Sequence, residues 1–290
     1  MLQRPQIARY IGLPIVLYLF VMIVPMVEAI RQSLYRSAFI GTGAFSGLQN
    51  YVRLASDPIF WRSFANNVFI VSAAVIGQIG LGLLLTFLIV AKGTRLPEVH
   101  RTVLFFPVVL APVVVGFLWQ IIYDRYVGLL NSFLMQVGLE QYVQAWLSNP
   151  DTVMIWVTIP IIWKWVGLYL VIFLSAYHAI PREILEITEL AGANAWQRSA
   201  YVIVPLMRNT LRVALVLCIS GNMKIFDEIF VMTGGGPARA STVMALYAYN
   251  TSFAAFELGY GATISVGMLV LTLAVILLSR RLLPAQDSVR

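Results

Sequence analysis

The sequence predicts an all-α integral membrane protein with six transmembrane helices. Three observations lead to this fold class. The chain of 290 residues is 60% hydrophobic and only 11% charged, which lies well outside the range of soluble globular domains. Several long stretches contain no Asp, Glu, Lys or Arg. The positive charges gather in the segments between apolar stretches, as in polytopic membrane proteins.

The apolar stretches have the length of membrane-spanning helices. A hydrocarbon core of about 30 Å needs about 20 apolar residues in a helix. Charge-free stretches meet this need at 10–27, 63–91, 102–123 and 258–279. Two further apolar stretches, 152–177 and 210–233, are long enough but carry internal charges. The first stretch follows Arg4 and Arg9 as a secretory signal would, but its length and the five spans behind it favour an uncleaved first span.

The distribution of Lys and Arg predicts the orientation. With both termini in the cytoplasm, twelve of the 20 Lys and Arg residues lie on the cytoplasmic side and six lie outside, while Lys164 and Lys224 fall within spans. This asymmetry follows the positive-inside rule and accounts for the net charge of +7 without a nucleic-acid partner. The segment 181–205 is therefore predicted to be cytoplasmic. The segment 47–61 becomes an outer loop, in which Asp57 followed by a proline is typical of a helix start.

The polar segment 181–205 lies between the fourth and fifth spans and has the composition of a helix, a bend and a second helix. Its first part carries glutamates at three-residue steps, and Gly192 permits a bend that a larger residue would resist. Trp196 and Tyr201 are candidate anchors in the second part, and Pro205 precedes the next apolar stretch. From these residues alone, an amphipathic hairpin that only joins two spans is as well supported as a docking element.

The spacing within this segment resembles the cytoplasmic signature of the permeases of ATP-binding-cassette importers. That signature is Glu-Ala-Ala, three residues, Gly, nine residues, and Ile-x-Leu-Pro. Here Glu186, Ile187 and Thr188 are followed after three residues by Gly192 and after nine more by Val-Ile-Val-Pro ending at Pro205. The spacing matches in full, while Ile187 and Thr188 replace the two alanines and two valines replace Ile and Leu.

Three further motifs resemble the carbohydrate branch of these permeases, the maltose and glycerol-phosphate type. Pro181-Arg-Glu precedes the signature, and Gly192-Ala-x-x-Trp196 lies within it. A longer motif runs from Phe226-Asp to Met-Thr-Gly-Gly-Gly-Pro237. The outer loop contains Gly-Leu-x-Asn-Tyr51 and Asp-Pro-x-Phe-Trp61. The resemblance covers most of the chain from residue 45 onward. It implies a division into 1–62, a type-1 transmembrane domain at 63–283, and a cytoplasmic tail at 284–290.

The resemblance implies a transport mechanism and a set of partners. In such importers the segment forms a cytoplasmic coupling helix between the fourth and fifth transmembrane helices, and this helix docks on an ATPase subunit. The partners are a second homologous permease, two cytoplasmic ATP-binding subunits and an external solute-binding protein, all at a bacterial or archaeal cytoplasmic membrane. The implied ATPase-coupling residues are Glu183, Glu186, Ile187, Thr188, Ala191, Gly192, Ala193, Trp196 and Pro205.

The chain has no Gly-x-x-x-x-Gly-Lys-[Ser/Thr] phosphate loop. ATP and magnesium are therefore expected on the partner ATPase, and this chain is expected to carry no cofactor, metal site or catalytic residue of its own. An intramembrane enzyme would need a nucleophile with a base, or a cluster of metal ligands, within the spans, and the sequence offers neither. The single cysteine, Cys218, lies in an apolar stretch and is interpreted as a buried hydrophobic residue.

Ionisable and polar residues within the spans are the candidates for the substrate path. Charges at the centre of a span cost at least about 2.5–3.5 kcal/mol on insertion scales, so they are expected to face protein or water. Lys224 with Asp227 and Glu228 forms local pairs that are sufficient in themselves. Lys164 has no local acidic partner and either faces the substrate or pairs with an acidic residue of the fifth span. The substrate-path candidates are Lys164, Trp165, Asn222, Lys224 and Asp227.

The predicted substrate is a sugar, most simply a disaccharide or oligosaccharide. Glycerol phosphate or an acidic sugar remains an alternative, because lysines are present in the spans. A different class is an ion-coupled secondary transporter, in which Lys164, Asp227 and Glu228 would relay protons. ATP dependence of uptake distinguishes this class from the importer.

Overall fold

The computed structural model describes residues 12–36, 43–91, 97–279 and 281. Within these residues the regular secondary structure is helical apart from one short hairpin. The first eleven residues and the predicted tail 284–290 lie outside the described residues. The helices are α1 Gly12–Ser33, α2 Gln49–Ala55, α3 Pro58–Val90, α4 Pro97–Val109, α5 Pro112–Ile122, α6 Leu129–Gln136, α7 Val153–His178, α8 Arg182–Leu190, α9 Ala195–Leu206, α10 Arg208–Met223, α11 Asp227–Thr233, α12 Met244–Tyr249 and α13 Leu258–Ser279. The strands are β1 Tyr35–Arg36 and β2 Ala44–Phe45.

Four of the described helices, α1, α3, α7 and α13, are individually long and apolar enough to cross a membrane. Two pairs of helices pass the same test when each pair is taken together. Each pair is bent at a short break, by 100° between α4 and α5 and by 74° between α9 and α10. If each bent pair counts as one span, the described residues contain six spans. The chain is therefore an all-α membrane protein, as the sequence predicts.

Two of the predicted spans differ from the helices observed. The predicted third span, 102–123, is broken between α4 and α5, since a proline begins α5 and has no N–H to continue the ladder. The predicted fifth span, 210–233, is wrong in its second half. Helix α10 ends at Met223, and α11 is a separate helix of seven residues. A Gly-rich turn follows α11, with Gly234 at φ 57° and Gly235 at φ 87°.

The chain divides into two compact units. Unit 1 contains residues 1–61 and 247–270, and unit 2 contains residues 62–246 and 271–290. In unit 1, β1 and β2 pair antiparallel.

Asp57 begins α3 by accepting hydrogen bonds from the N–H groups of Ile59 and Phe60. The same carboxylate accepts hydrogen bonds from Tyr247 and Tyr260. Burial alone raises the pKa of Asp57, but these four hydrogen bonds outweigh it and leave the pKa lowered.

Unit 2 is organised around α7, the most buried of its long helices. Glycines let other helices approach α7 closely. A β-carbon at Gly82 of α3 would lie 2.9 Å from Tyr169 Cβ, and one at Gly167 of α7 would lie 2.8 Å from Phe105 Cα of α4. Two groups of buried apolar side chains form the core of unit 2. The first comprises Ile70, Tyr123, Trp146, Val153, Val157, Ile161, Ile225, Ile229, Met232, Ala240, Val243 and Leu246, and the second Ala74, Tyr169, Phe173, Ile180, Ile203, Met207, Ala214 and Cys218.

Amide side chains hold the interrupted helix ends of unit 2. Asn67 donates to the carbonyls of Asn222 and Met223 where α10 ends, and its Oδ1 accepts from the N–H of Met244 where α12 begins. Gln120 donates in the same way to Val231 O and Met232 O near the end of α11. Backbone groups in a membrane need such partners, because no water is present to satisfy them.

Candidate functional site

The segment 181–205 folds as the predicted helix, bend and helix. Helix α8 ends at Leu190, and the chain reverses through Gly192, whose φ of +77° favours glycine. Two hydrogen bonds close the turn, from Gly192 N–H to Glu189 O at 3.0 Å and from Ala193 N–H to Thr188 O at 3.1 Å. The bend therefore depends on a residue without a side chain at position 192.

Local contacts join the two helices of this segment. Asn194 and Gln197 form a reciprocal capping box at the start of α9, with hydrogen bonds of 2.9 and 3.0 Å. Arg198 of α9 makes an ion pair with Glu189 of α8. The cap fixes the entry into α9, and the ion pair connects α9 to α8 across the turn. We therefore treat 182–198 as one structural element.

This element has an anchored side and an exposed side. Ile184 and Leu185 pack against a cluster of buried apolar residues that includes Ile180, Ile203 and Met207. Other apolar side chains of the element remain exposed: Ile187 by 64%, Leu190 by 88% and Trp196 by 76%; just beyond it, Tyr201 is exposed by 76%. An exposed apolar patch of this kind is typical of an interaction surface.

The predicted coupling residues fall on different parts of the element. Thr188 is half-buried and donates to Leu185 O at 2.7 Å, so its hydroxyl supports α8 rather than projecting outward. Ala193 is likewise half-buried beside the turn. The remaining predicted residues are exposed: Glu183, Glu186, Ile187, Ala191, Gly192, Trp196 and Pro205.

A cavity of about 280 Å³ in unit 2 brings together most of the predicted substrate-path residues. Four of the five line it, namely Trp165, Asn222, Lys224 and Asp227. We refer to it as the Trp165 cavity. Its full lining is Gln78, Pro112, Trp165, Leu168, Tyr169, Leu217, Gly221, Asn222, Lys224, Ile225, Phe226, Asp227 and Glu228.

The break between α10 and α11 shapes one wall of this cavity. Lys224, Ile225 and Phe226 connect the two helices, and Lys224 and Asp227 are exposed rather than inside a continuous helix as predicted. Asn222 is buried on the last turn of α10 and donates to Cys218 O at 2.8 Å and to Gln78 Oε1 at 3.4 Å. The wall therefore combines an oriented amide with two exposed charges.

Lys164, the fifth predicted residue, does not line the cavity. Its side chain is 1% exposed, and its Nζ donates to Leu110 O at 2.6 Å and to Val108 O at 3.3 Å. These carbonyls lie at the break between α4 and α5. In a continuous helix Val108 O would accept from residue 112, but Pro112 has no N–H. Lys164 thus satisfies backbone groups that the break leaves without helical donors.

The same ammonium group supports the cavity wall indirectly. Lys164 Nζ lies 4.6 Å from the centroid of the Trp165 ring, within the range of a cation–π interaction. Trp165 is itself part of the cavity lining. The structure therefore places Lys164 behind the cavity and Trp165 at its surface.

Two polar lining residues are absent from the predicted set. Gln78 is buried on α3 and donates to Ile161 O at 3.2 Å, and Glu228 is buried at the start of α11. Gln78 is the one glutamine in the charge-free stretch 63–91, and this polar residue in an apolar stretch is the sequence signal that points to it. No group of three or more His, Cys, Asp or Glu side chains suitable for a metal ion occurs among the described residues.

Known proteins similar to this chain share its length and fold. A family model described as binding-protein-dependent transport system inner membrane component matches residues 78–287. The probable ABC transporter permease protein YurN of Bacillus subtilis is 33% identical, over 97% of each chain. The lactose transport system permease protein LacF of Rhizobium radiobacter is 30% identical, over 87% of this chain and 86% of its own. A solved bacterial ABC transporter involved in the import of the acidic polysaccharide alginate matches at 20% identity with a TM-score of 0.83, over 96% of this chain and 95% of that one.

Proposed function

Because this chain belongs to the family of binding-protein-dependent transport system inner membrane components, we propose that it conducts a sugar through an ATP-driven importer. As a permease it is a transport subunit rather than an enzyme, and ATP and magnesium bind to the partner ATPase. We place it in a bacterial or archaeal cytoplasmic membrane with both termini in the cytoplasm. Its proposed partners are a second homologous permease, two ATP-binding subunits and an external binding protein that delivers the sugar.

The observation that carries this proposal is the exposed apolar side of 182–198. Ile187, Leu190 and Trp196 project from an element that is held together by a capping box and an ion pair. Such a surface suits docking into a cleft of the ATPase, where burial of apolar area supplies the affinity. The glutamates Glu183 and Glu186 would form the polar rim of this contact.

The same element is connected to two spans, so that docking can be transmitted. Helix α7 ends at His178, four residues before α8 begins, and α9 continues through a bend at Met207 into α10. Met207 is buried together with Ile180 and Ile203. A displacement of 182–198 by the ATPase would therefore act at once on the end of α7 and the start of α10. Both of these helices contribute residues to the Trp165 cavity.

The docking proposal predicts a large effect for Leu190→Glu. The substitution places a charge at the most exposed apolar position of the element without touching its core contacts. We expect ATP-driven sugar uptake in proteoliposomes to fall at least tenfold and the ATPase to co-purify poorly, with normal membrane insertion. Val127→Glu introduces the same charge at an exposed position of a predicted outer loop and should leave both unchanged. Normal ATPase association and uptake for Leu190→Glu would refute the docking assignment.

The lining of the Trp165 cavity favours a neutral sugar. Trp165 and Phe226 offer aromatic faces, while Asn222, Lys224 and Asp227 offer hydrogen-bonding groups for hydroxyls. The ionisable lining consists of two carboxylates, Asp227 and Glu228, and one ammonium, Lys224, which gives no excess of positive charge for an anion. A disaccharide or oligosaccharide is thus a better fit than glycerol phosphate or an acidic sugar. The name of LacF refers to lactose, a neutral disaccharide.

Asp227→Asn tests whether this cavity contacts the sugar. The carboxylate is exposed in the cavity, so its loss removes a charge-assisted hydrogen bond without disturbing the core. We expect the sugar concentration for half-maximal uptake to rise about tenfold, since such bonds contribute roughly 1.5–3 kcal/mol. The matched variant Asp151→Asn, at an exposed site outside the cavity, should behave as wild type. An unchanged half-maximal concentration for Asp227→Asn would remove this residue from the path.

A further inference from the structure

A second cavity, of about 400 Å³, lies entirely within unit 1. Its lining consists of polar side chains that form directional hydrogen bonds and of aromatic rings: Arg36, Gln49, Asn50, Arg53, Phe256, Glu257 and Tyr260. We refer to it as the Arg53 cavity. Its volume lies within the range of small-molecule sites. In the predicted topology these residues belong to the outer loop before α3 and to the outer end of α13.

Asn50 is a fixed polar group in the wall of this cavity. The residue is only 5% exposed, and its Nδ2 donates to Ser33 O at 2.9 Å and to Tyr35 O at 3.0 Å. These two bonds use both amide hydrogens and set the orientation of the side chain. Its Oδ1 receives no hydrogen bond from the residues that the structure describes. An amide oxygen in a cavity wall that takes no donor from the described residues suits a ligand that donates, such as a hydroxyl group.

Arg53 is held in place by two neighbouring side chains. Its guanidinium lies 3.7 Å from the centroid of the Tyr260 ring and makes an ion pair with Glu257. The Tyr260 hydroxyl in turn donates to Asp57. A guanidinium has five N–H donors, and a single carboxylate cannot use them all. Arg53 and Glu257 therefore present a donor and an acceptor side by side in a fixed geometry.

Phe256 contributes an aromatic face through an unusual backbone conformation. Its φ is +57°, a region that favours glycine, and the residue is 55% exposed. Backbone hydrogen bonds on both sides hold the turn, from Ala255 N–H to Asn250 O at 2.9 Å and from Glu257 N–H to Thr251 O at 3.0 Å. Strained residues of this kind concentrate at ligand sites.

We propose that the Arg53 cavity is a sugar-binding site in its own right, distinct from the Trp165 cavity of unit 2. A sugar ring would stack on Phe256, and its hydroxyls would pair with Arg53, Glu257 and the Asn50 Oδ1. Oriented donors and acceptors beside an aromatic face are what a polyhydroxylated ring requires. The choice of a sugar as the ligand class rests on the proposed function. The position of the site does not depend on that function, because it follows from the residues that line the cavity.

The test uses the assembled importer in lipid nanodiscs, without ATP and without the external binding protein. Maltose, lactose and raffinose serve as probes in saturation-transfer NMR titrations. We expect at least one of them to bind. In Phe256→Gly its affinity should fall at least tenfold while the melting temperature stays the same or rises, because glycine adopts this φ without strain. Gln49→Ala, at an exposed lining residue, should weaken binding as well. Phe253→Ala removes an exposed ring outside the cavity and should change nothing.

Three outcomes would overturn the assignment. The first is that no probe binds. The second is that the protein binds inorganic phosphate in the same titration but binds none of the sugars. That result would make the arginines an anion site. The third is sugar binding that survives both Phe256→Gly and Gln49→Ala but is lost in Asp227→Asn. That result would place the sugar in the Trp165 cavity and leave the proposed transport function intact. Failure of the transport function itself shows separately, as absence of ATP-driven uptake.

Discussion

Replacing Gly167 by leucine is expected to prevent this permease from folding stably. A β-carbon at this position would lie 2.8 Å from Phe105 Cα and 2.9 Å from the Leu104 carbonyl carbon, and closer still to the Leu104 oxygen. These are backbone atoms of α4, so no change of side-chain rotamer relieves the clash, and α4 and α7 must separate. We expect the cost to reach or exceed the upper end of the roughly 1–3 kcal/mol that overpacking usually costs.

The measurement is the yield and melting temperature of the detergent-solubilised chain. Gly80→Leu provides the matched control, because Gly80 is exposed on α3 and a β-carbon there meets no atom of the described residues within 4 Å. We expect this control to express and melt as wild type. A Gly167→Leu protein with unchanged yield and melting temperature would show that α4 and α7 do not approach as closely as described.

Replacing Lys164 by methionine is expected to destabilise the chain rather than to weaken sugar binding. Methionine fills a similar volume but cannot donate to Val108 O or Leu110 O, and an unsatisfied buried carbonyl costs about 1–3 kcal/mol. Removing the buried ammonium also relieves its own desolvation, which offsets part of that loss. We expect a net loss of roughly 2 kcal/mol, with uptake reduced through lower abundance.

Lys224→Met is the control for this substitution, because Lys224 is exposed in the Trp165 cavity. It should alter the half-maximal sugar concentration and leave the melting temperature unchanged. The opposite pattern, with a stable Lys164→Met protein that has lost affinity for sugar, would return Lys164 to the substrate path. Thermal melting and uptake titrations on both variants distinguish the two roles.

The sequence predicted features that depend on local patterns. Charge-free stretches indicate the membrane helices because the energetic demand of the bilayer acts on each stretch separately. The bend at Gly192 is predictable for the same reason, since a positive φ is a property of one residue. The helix start at Asp57 likewise follows from a side chain that caps its own helix.

Features that depend on distant residues were not predictable in this way. The break after Met223 has no proline to indicate it, and it is held by Asn67, which lies 155 residues earlier than Asn222. The role of Lys164 depends on carbonyls 54 and 56 residues away. Gln78 reaches the Trp165 cavity only because α3 packs against α7. In each case the decisive partner comes from another helix, and the sequence does not specify the pairing.

The bond between Lys164 and the α4–α5 break has a consequence for biogenesis. Residues 97–122 leave the ribosome before Lys164 does, so the Val108 and Leu110 carbonyls emerge without their donor. A lipid environment does not satisfy them. We therefore expect the third span to reach its final depth only once α7 is in the membrane and Lys164 can donate to these carbonyls. On this expectation the third and fourth spans insert cooperatively.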